Sequence, residues 1–157
     1  APDGQTSVLL ETTSGAGRTL GGTFEQLAAV LGLARRPDRL GVCLDTCHVF
    51  AAGWDIRSAG GYEAMMMRLD ETVGLSRLKA VHVNDIRGDL GSRRDRHEHI
   101  GKGKIGLGGF VHFLCDRRLA RVPLILETPK GKDPRGRDWD SVNANVLRRL
   151  ARRTGGT

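Results

Sequence analysis

Four short apolar runs, separated by longer stretches with helical spacing, constrain the fold of this chain more strongly than any other feature of its sequence. The runs are rich in Val, Leu and Ile, as buried parallel strands are, and they span residues 7–10, 40–44, 78–83 and 122–126. The alternation of strand and helix is typical of a parallel α/β fold. Four such units predict either a small open sheet or half of an eight-stranded (β/α)8 TIM barrel, which takes ~250 residues.

Length and composition limit the class of protein further. The 157 residues are expected to form one domain over positions 1–157. No apolar run approaches the ~20 residues that span a bilayer, so no membrane partner is expected. The three cysteines form no C-x-x-C pair, which argues against a disulfide framework and favours a cytoplasmic protein. The chain has neither an initiator Met nor a signal peptide, and we expect it to begin inside a longer protein.

The net charge of +7 favours polyanionic partners such as DNA. A bias toward arginine codons would give the same charge, so charge alone does not identify the partner. A basic, glycine-rich loop makes a stronger case, and four of its residues are predicted to contact DNA: Arg94, Arg96, Lys102 and Lys104. A solvated surface loop is the alternative interpretation.

A side chain that can bind a metal stands at the end of each apolar run. These side chains are Glu11, Asp45, His82 and Glu127. The carboxyl ends of parallel strands carry the functional site in α/β folds, and the alternation of side chains along each strand allows all four to point the same way. Three converging carboxylates repel one another unless a cation lies between them. The mixture of imidazole and carboxylate predicts a zinc site, with manganese or iron as alternatives.

A second group of ligand-type residues flanks the first. His48 follows Asp45 by three positions, beyond the end of the strand, and would reach a neighbouring ion. Asp95 and His97 are separated by one residue, so their side chains face the same way if the loop is extended. We therefore predict that these two residues and His48 hold one ion. His99 adjoins them, and the sequence leaves open whether it contacts a phosphate or only packs.

Five segments resemble the motifs of the endonuclease IV family, in the order and spacing of that family. They cover residues 9–17, 43–53, 82–85, 95–103 and 126–129. The D-T-C-H segment that begins at Asp45 and the D-R-H segment that begins at Asp95 are the most specific. The resemblance runs from about residue 7 to residue 150. It implies a xylose isomerase-like TIM barrel of AP endonuclease family 2, of which this chain supplies about the last four β/α units.

The resemblance also implies an activity. Members of this family take part in DNA base excision repair, where they hydrolyse the phosphodiester 5′ to abasic sites in double-stranded DNA. Their products are a 3′-hydroxyl and a 5′-deoxyribose phosphate. The resemblance implies three zinc ions, two of which generate the attacking hydroxide while the third stabilises the leaving oxygen.

Each of the seven ligand candidates receives a role from the resemblance. Glu11 is expected to bridge the first and second ions, Asp45, His82 and Glu127 to complete the second, and His48, Asp95 and His97 to hold the third. Glu11 and Glu127, at the ions that generate the hydroxide, are the candidate catalytic residues.

One departure from the family pattern affects the expected activity. The family supplies two further histidines to the first ion from an N-terminal half that this sequence does not show. We therefore expect weak activity from the 157 residues alone, and self-association through the open sheet edges, whereas a complete family member is expected to be a monomer associated with the nucleoid. Two alternatives remain open: a metal-dependent sugar isomerase or epimerase of the same barrel class, and a non-catalytic half-barrel.

Overall fold

The computed structural model describes residues 6–154, so the ends of the predicted domain 1–157 lie outside the described residues. The strands are β1 (Val8–Glu11), β2 (Leu40–Asp45), β3 (Leu78–His82), β4 (Asp85–Ile86), β5 (His97–Glu98) and β6 (Leu124–Ile125). The helices are α1 (Phe24–Leu33), α2 (Thr46–Ala52), α3 (Ala59–Thr72), α4 (Gly106–Cys115) and α5 (Trp139–Thr154). The order of strands and helices along the chain is the α/β alternation that the sequence predicts.

A four-stranded parallel sheet forms the centre of the fold, with the order β1-β2-β3-β6. The three strand pairs are all parallel, so the four carboxyl ends lie along one edge of the sheet. The register pairs Glu11 with Cys43, Asp45 with His82 and His82 with Ile125. The last residues of β2, β3 and β6 therefore stand at the same height, whereas Glu11 stands two residues before the end of β2 in the register.

The observed β1, β2 and β3 differ from the predicted strands by one residue at one or both ends, and two other segments differ more. The strand predicted at residues 122–126 is reduced to Leu124–Ile125, and both of its residues are exposed because it forms the outer edge of the sheet. The segment around Asp95, which the sequence predicts to be a loop, contains β5, which pairs with β4 as a short antiparallel ladder. Two-residue strands carry too few positions to show a period in the sequence.

The turn from β2 into α2 is closed by the side chain of Asp45. Its Oδ1 accepts a hydrogen bond from the backbone N–H of His48 at 3.1 Å, which caps the first turn of the helix. The helix ends at Gly53, whose φ of 118° lies in the left-handed region that glycine adopts without strain. A strand end and a helix start are thereby fixed by the same carboxylate, which also belongs to the candidate site.

The core lies between the sheet and the helices. Its largest fully buried side chains include Phe50 of α2, Phe110 of α4, Leu44 of β2 and Met65 of α3. The helices therefore bury one face against the strands and leave the carboxyl edge of the sheet open. Within residues 6–154, no helix combines the length and apolar composition needed to cross a bilayer.

Candidate metal centre

The structure brings together the four ligand-type residues at the strand ends. One possible ligand atom from each of Glu11, Asp45, His82 and Glu127 lies within 4.8 Å of those of the other three. The Nδ1 atom of His82 is the centre of the group, at 2.9 Å from Glu127 Oε2, 3.1 Å from Glu11 Oε1 and 3.8 Å from Asp45 Oδ2. This convergence follows from the parallel register, because each residue stands at or just after the carboxyl end of its strand.

A second group lies beside the first. Asp95 contacts both of its histidines, with Oδ2 at 3.1 Å from His48 Nε2 and Oδ1 at 3.2 Å from His97 Nε2. The two imidazole rings lie 5.6 Å apart between centroids. Asp45 connects the groups, because the Oδ2 atom that faces His82 is also 3.7 Å from His97 Nε2. The two sets of ligand-type residues therefore form one continuous cluster.

Backbone carbonyls orient the histidines of the second group. His48 Nδ1 lies 2.7 Å from the carbonyl oxygen of Thr12, a closer contact than the 3.3 Å to Glu11 Oε1. His97 Nδ1 lies 3.1 Å from the carbonyl oxygen of Glu127. When Nδ1–H donates to a carbonyl, the Nε2 lone pair remains available to a metal. Both Nε2 atoms face Asp95, so the rings present their ligand atoms to a common centre.

The charges of the cluster are unbalanced without a cation. Burial raises the pKa of Asp45, against the opposing effect of His48 and His97. Burial alone would lower the pKa of His48, but its hydrogen bond with Glu11 and the charge of Asp45 raise it to about 9. The protonated ring of His48 thus supplies positive charge among the carboxylates.

The donor atoms fit a divalent metal ion. His97 Nε2 is buried and, among residues 6–154, has no hydrogen bond of acceptable geometry, although Asp95 lies close to it. An orphaned buried nitrogen that faces carboxylates is a feature that coordination by a metal would satisfy. The mixed set of imidazole and carboxylate donors suits zinc, manganese or iron.

Cys47 is a neighbour of the cluster that the sequence did not single out as a ligand. It has a possible ligand atom within 4.8 Å of those of Asp95 and His97. Burial raises the pKa of its thiol well above the usual range. A thiol that keeps its proton is a poor metal ligand, so Cys47 is not expected to join the donor set.

Asn84 is a supporting residue whose role the sequence did not predict, although it lies in the H-V-N-D segment. It is fully buried, and its Nδ2 donates to Asp45 Oδ2 at 2.7 Å. Its Oδ1 accepts the backbone N–H of Glu127 at 2.8 Å. The backbone N–H of Asn84 donates to the hydroxyl of Thr46, which donates to the carbonyl of Asn84. One amide therefore fixes two candidate ligands on different strands.

Asp85 organises the loop that follows β5. Its carboxylate is fully buried and accepts hydrogen bonds at 3.0 Å from the backbone N–H groups of Gly101, Gly103 and Ile105. A side chain at Gly103 would collide with this carboxylate and with the carbonyl of Ile86. The glycines of the loop are needed for this close approach, and the aspartate holds the basic loop against β4.

The predicted basic residues have different environments. Arg94 and Arg96 are exposed, and the side chain of Arg96 borders a cleft of about 340 Å³ that is also lined by His97 and Glu127. The ammonium group of Lys102 lies 4.3 Å from the ring centroid of Trp139, and that of Lys104 lies 3.4 Å from Asp89 Oδ1. The two arginines are therefore exposed, whereas each of the two lysines contacts a neighbouring side chain. The cleft gives a ligand access to the cluster.

His99, whose role the sequence left open, packs inside the fold. Its ring stacks on Trp139 with 3.6 Å between centroids, and its Nδ1 accepts a hydrogen bond from Asn143 at 3.2 Å. Burial lowers its pKa, which favours the neutral ring. These contacts give His99 a structural role in the basic loop.

Comparisons with known proteins agree with the fold. The model of the AP endonuclease 2 family, described as a xylose isomerase-like TIM barrel, matches residues 1–150. A protein of Geobacter sulfurreducens named probable endonuclease 4 is 52% identical over 146 residues, which are 93% of this chain and 48% of that protein. An apurinic-apyrimidinic endonuclease of Caenorhabditis elegans is 51% identical over 127 residues, 81% of this chain and 32% of that protein.

The crystal structure of endonuclease IV from Thermus thermophilus superimposes with a TM-score of 0.77 at 41% identity, covering 92% of this chain and 49% of that one. The chain thus spans about half the length of the bacterial relatives that it matches. The parallel sheet, the match over residues 1–150 and the similarity to these relatives lead to one conclusion. The chain belongs to the AP endonuclease 2 family of xylose isomerase-like TIM barrels.

Proposed function

We propose that the chain is the C-terminal, metal-binding part of an endonuclease that hydrolyses the phosphodiester 5′ to abasic sites in double-stranded DNA. The observation that carries the proposal is the convergence of carboxylates and imidazoles from four strand ends, helix α2 and the segment 95–97 on one open cluster. The relatives named as endonuclease 4 and apurinic-apyrimidinic endonuclease support the choice of DNA as substrate. Such a substrate would place the protein with the nucleoid in the cytoplasm.

The residues divide into two metal positions that share Asp45. Glu11, Asp45, His82 and Glu127 would hold one ion, and His48, Asp95 and His97 would hold a neighbouring one. The side chain of Glu11 is 38% exposed, and we propose that it also serves a third ion whose remaining ligands lie elsewhere in the protein. Zinc is the ion that this donor set favours, and three is the number that the family resemblance implies.

Bound zinc would supply a Lewis acid for the phosphate and a nucleophile at neutral pH. The chain contributes the surrounding electrostatics and the position of the substrate. Arg96 borders the cleft next to His97 and Glu127, where a guanidinium group can pair with a phosphodiester oxygen. Arg87 lines the same cleft, and Glu98 holds its Nε at 2.9 Å. We propose that Arg94, at the exposed tip of the loop, makes a further contact with the DNA backbone.

The first test measures metal content and zinc affinity. Protein purified without added metal should contain zinc by elemental analysis, and a His97→Gln variant should bind zinc on the order of 10-fold more weakly or worse. His112→Gln is the matched control, because this histidine stacks on Tyr62 far from the cluster. An equal zinc content in the two variants would refute the assignment of His97.

The second test measures the reaction. A duplex with one abasic site should be incised by the chain joined to the amino-terminal half of a relative, and His97→Gln should reduce incision on the order of 10²-fold. Isomerisation of ketoses by the same preparation, without incision, would instead favour the sugar isomerase alternative. Zinc binding without either reaction would favour a non-catalytic metal-binding protein.

A further inference from the structure

A polar hollow lies beside the metal centre and outside the residues that form it. It has a volume of about 220 Å³ and is bordered by the loop that follows β1, the start of α1, the end of α2 and the side chain of Arg93. The loop follows Glu11, and α2 carries His48. The hollow therefore adjoins the segments that deliver two of the candidate ligands.

The floor of the hollow offers hydrogen-bond donors without partners. Ser14 is only 4% exposed, and within residues 6–154 its hydroxyl has no hydrogen-bond partner. The backbone N–H groups of residues 14–18 also donate no hydrogen bond to any part of residues 6–154. Ser14 is buried, residues 15 and 16 are partly buried, and residues 17 and 18 are exposed, so these donors line an open hollow that a ligand can enter. A ligand that accepts several hydrogen bonds would satisfy them.

The backbone of Arg93 is fixed beside the hollow. Its N–H donates to the carbonyl of Ala51 at 3.0 Å, and the N–H of Gly91 donates to the carbonyl of Phe50 at 3.1 Å. Arg93 adopts a φ of 54°, which is unusual for a residue with a side chain. These contacts hold a guanidinium group at the rim next to the end of α2.

The charge at the rim is positive. Within the part of the chain that the structure describes, Arg93 forms no ion pair, whereas Glu25 at the start of α1 is neutralised by Arg68 at 2.6 Å. Thr23 caps α1, whose amino-terminal end faces the hollow and favours anions. A ligand that carries negative charge and many acceptor atoms matches this environment.

We propose that the hollow binds a phosphate group, and that in the complete protein this group belongs to the DNA strand that crosses the metal centre. The choice of DNA as the source rests on the proposed function, whereas the choice of phosphate rests on the unpaired donors and on Arg93. The hollow would hold a phosphodiester adjacent to the one that is cleaved, because its walls are direct continuations of β1 and α2. It would thereby fix the register of the strand on the metal ions.

The first experiment tests the phosphate site without metal and without DNA. Inorganic phosphate is titrated into chelator-treated, isotope-labelled protein while the amide resonances are followed by NMR. Saturable shifts at the amides of residues 14–18 are expected, and they should disappear in Ser14→Ala combined with Arg93→Gly. Absence of these shifts at millimolar phosphate would overturn the proposal.

The second experiment tests the source of the phosphate. Arg93→Gly removes the guanidinium group, and glycine accepts a φ of 54° readily, so this variant should fold with an unreduced melting temperature. It should bind an abasic-site duplex about 10-fold more weakly. The slope of the logarithm of the affinity against the logarithm of the salt concentration should fall by about one unit. Arg121→Gln is the control, because this exposed arginine precedes β6 at the opposite end of the sheet.

The outcomes separate the two proposals. If the phosphate shifts occur but Arg93→Gly binds DNA as tightly as the parent chain, the DNA source is wrong and the ligand is a free phosphate compound. If the parent chain binds no DNA, the proposed function fails, and the phosphate titration alone decides whether the hollow is a site. A lowered melting temperature of Arg93→Gly, with unchanged phosphate shifts, would show a structural role and overturn the binding role.

Discussion

At the scale of single residues, the cluster depends on side chains that do not themselves contact a metal. Asn84 joins Asp45 of β2 to the backbone of Glu127 after β6, although these partners are far from it in sequence. Supporting residues of this kind fix the orientation of metal ligands and increase their affinity. The fully buried amide of Asn84 is therefore a positioning group for two strands at once.

Replacement of Asn84 should weaken metal binding by more than a loss of folding stability alone would explain. Asn84→Leu removes both hydrogen bonds, and we expect zinc affinity to fall 10- to 100-fold, on the order found for such supporting groups. The matched control is Asn143→Leu, which also removes a buried and hydrogen-bonded amide, but one that contacts His99 and Thr128. Competition with a chromophoric chelator measures the affinity. Equal losses in the two variants would mean that Asn84 only stabilises the fold.

A second prediction at this scale concerns pH in the metal-free chain. The pKa of His48 is raised from 6.5 to about 9, despite burial, by its hydrogen bond with Glu11 and by the charge of Asp45. The protonated ring therefore stabilises the folded chain fully below pH 6.5, and this contribution is lost as the pH rises through 9. Urea titrations of chelator-treated protein should show the free energy of unfolding falling over this interval by up to about 3 kcal/mol. In His48→Gln, the free energy of unfolding should no longer fall over this pH interval. If the fall persists in that variant, the assignment to His48 is wrong.

Some of these residues could be identified from the sequence and others could not. Strand ends and side-chain alternation were enough to select Glu11, Asp45, His82 and Glu127, because the parallel register aligns them without further information. Asn84 and Thr12 act through hydrogen bonds to residues that are distant along the chain. No local pattern encodes such partners.

At the scale of secondary-structure elements, a buried carboxylate holds the basic loop together with the apolar side chains of Ile100 and Ile105, which lie in the core. Asp85 of β4 accepts backbone N–H groups from Gly101, Gly103 and Ile105 across the loop. The short β4–β5 ladder and this carboxylate together fix a segment with little regular structure. The sequence could not show this, because the ladder is two residues long and the glycines alone suggest flexibility.

The loop should loosen when Asp85 loses its charge. Asp85→Asn replaces one acceptor oxygen by an amide group that faces N–H donors. Hydrogen bonds to a charged group are worth about 1.5–3 kcal/mol each, so we expect the free energy of unfolding to fall by at least about 3 kcal/mol. Urea unfolding gives the free energy, and hydrogen exchange should accelerate at Gly101 and Gly103. Asp89→Asn is the control, since the exposed carboxylate of this residue pairs with Lys104 at 3.4 Å and accepts none of the hydrogen bonds that hold the loop to Asp85. If hydrogen exchange at Gly101 and Gly103 is unchanged in Asp85→Asn, Asp85 does not hold the loop.

At the scale of the whole molecule, the parallel sheet has two outer edges within the described residues. β1 and β6 each pair on one side only, and Val8, Leu124 and Ile125 remain exposed at 61%, 38% and 43%. Apolar edge strands with free backbone groups are prone to pair with other chains. A closed barrel of the family type removes such edges.

We expect the 157-residue chain on its own to associate through these edges. A double variant, Val8→Lys with Ile125→Lys, places a charge on each edge and should shift sedimentation toward the monomer. Leu33→Lys is the control, because Leu33 is equally apolar and 85% exposed but lies at the end of α1. A parent chain that sediments as a monomer at all concentrations would contradict the expectation.

The position of His82 has a consequence for the cohesion of the chain. Its ring lies between Glu11 of the first strand and Glu127 beyond the last, so an ion bound there would act as a cross-link between the two outermost β/α units. A cross-link that encloses most of a chain removes much of the conformational entropy of its unfolded state. Occupancy of this position would then make the four units open together, whereas in the ion-free protein the outer strands would exchange their amide protons independently of the centre.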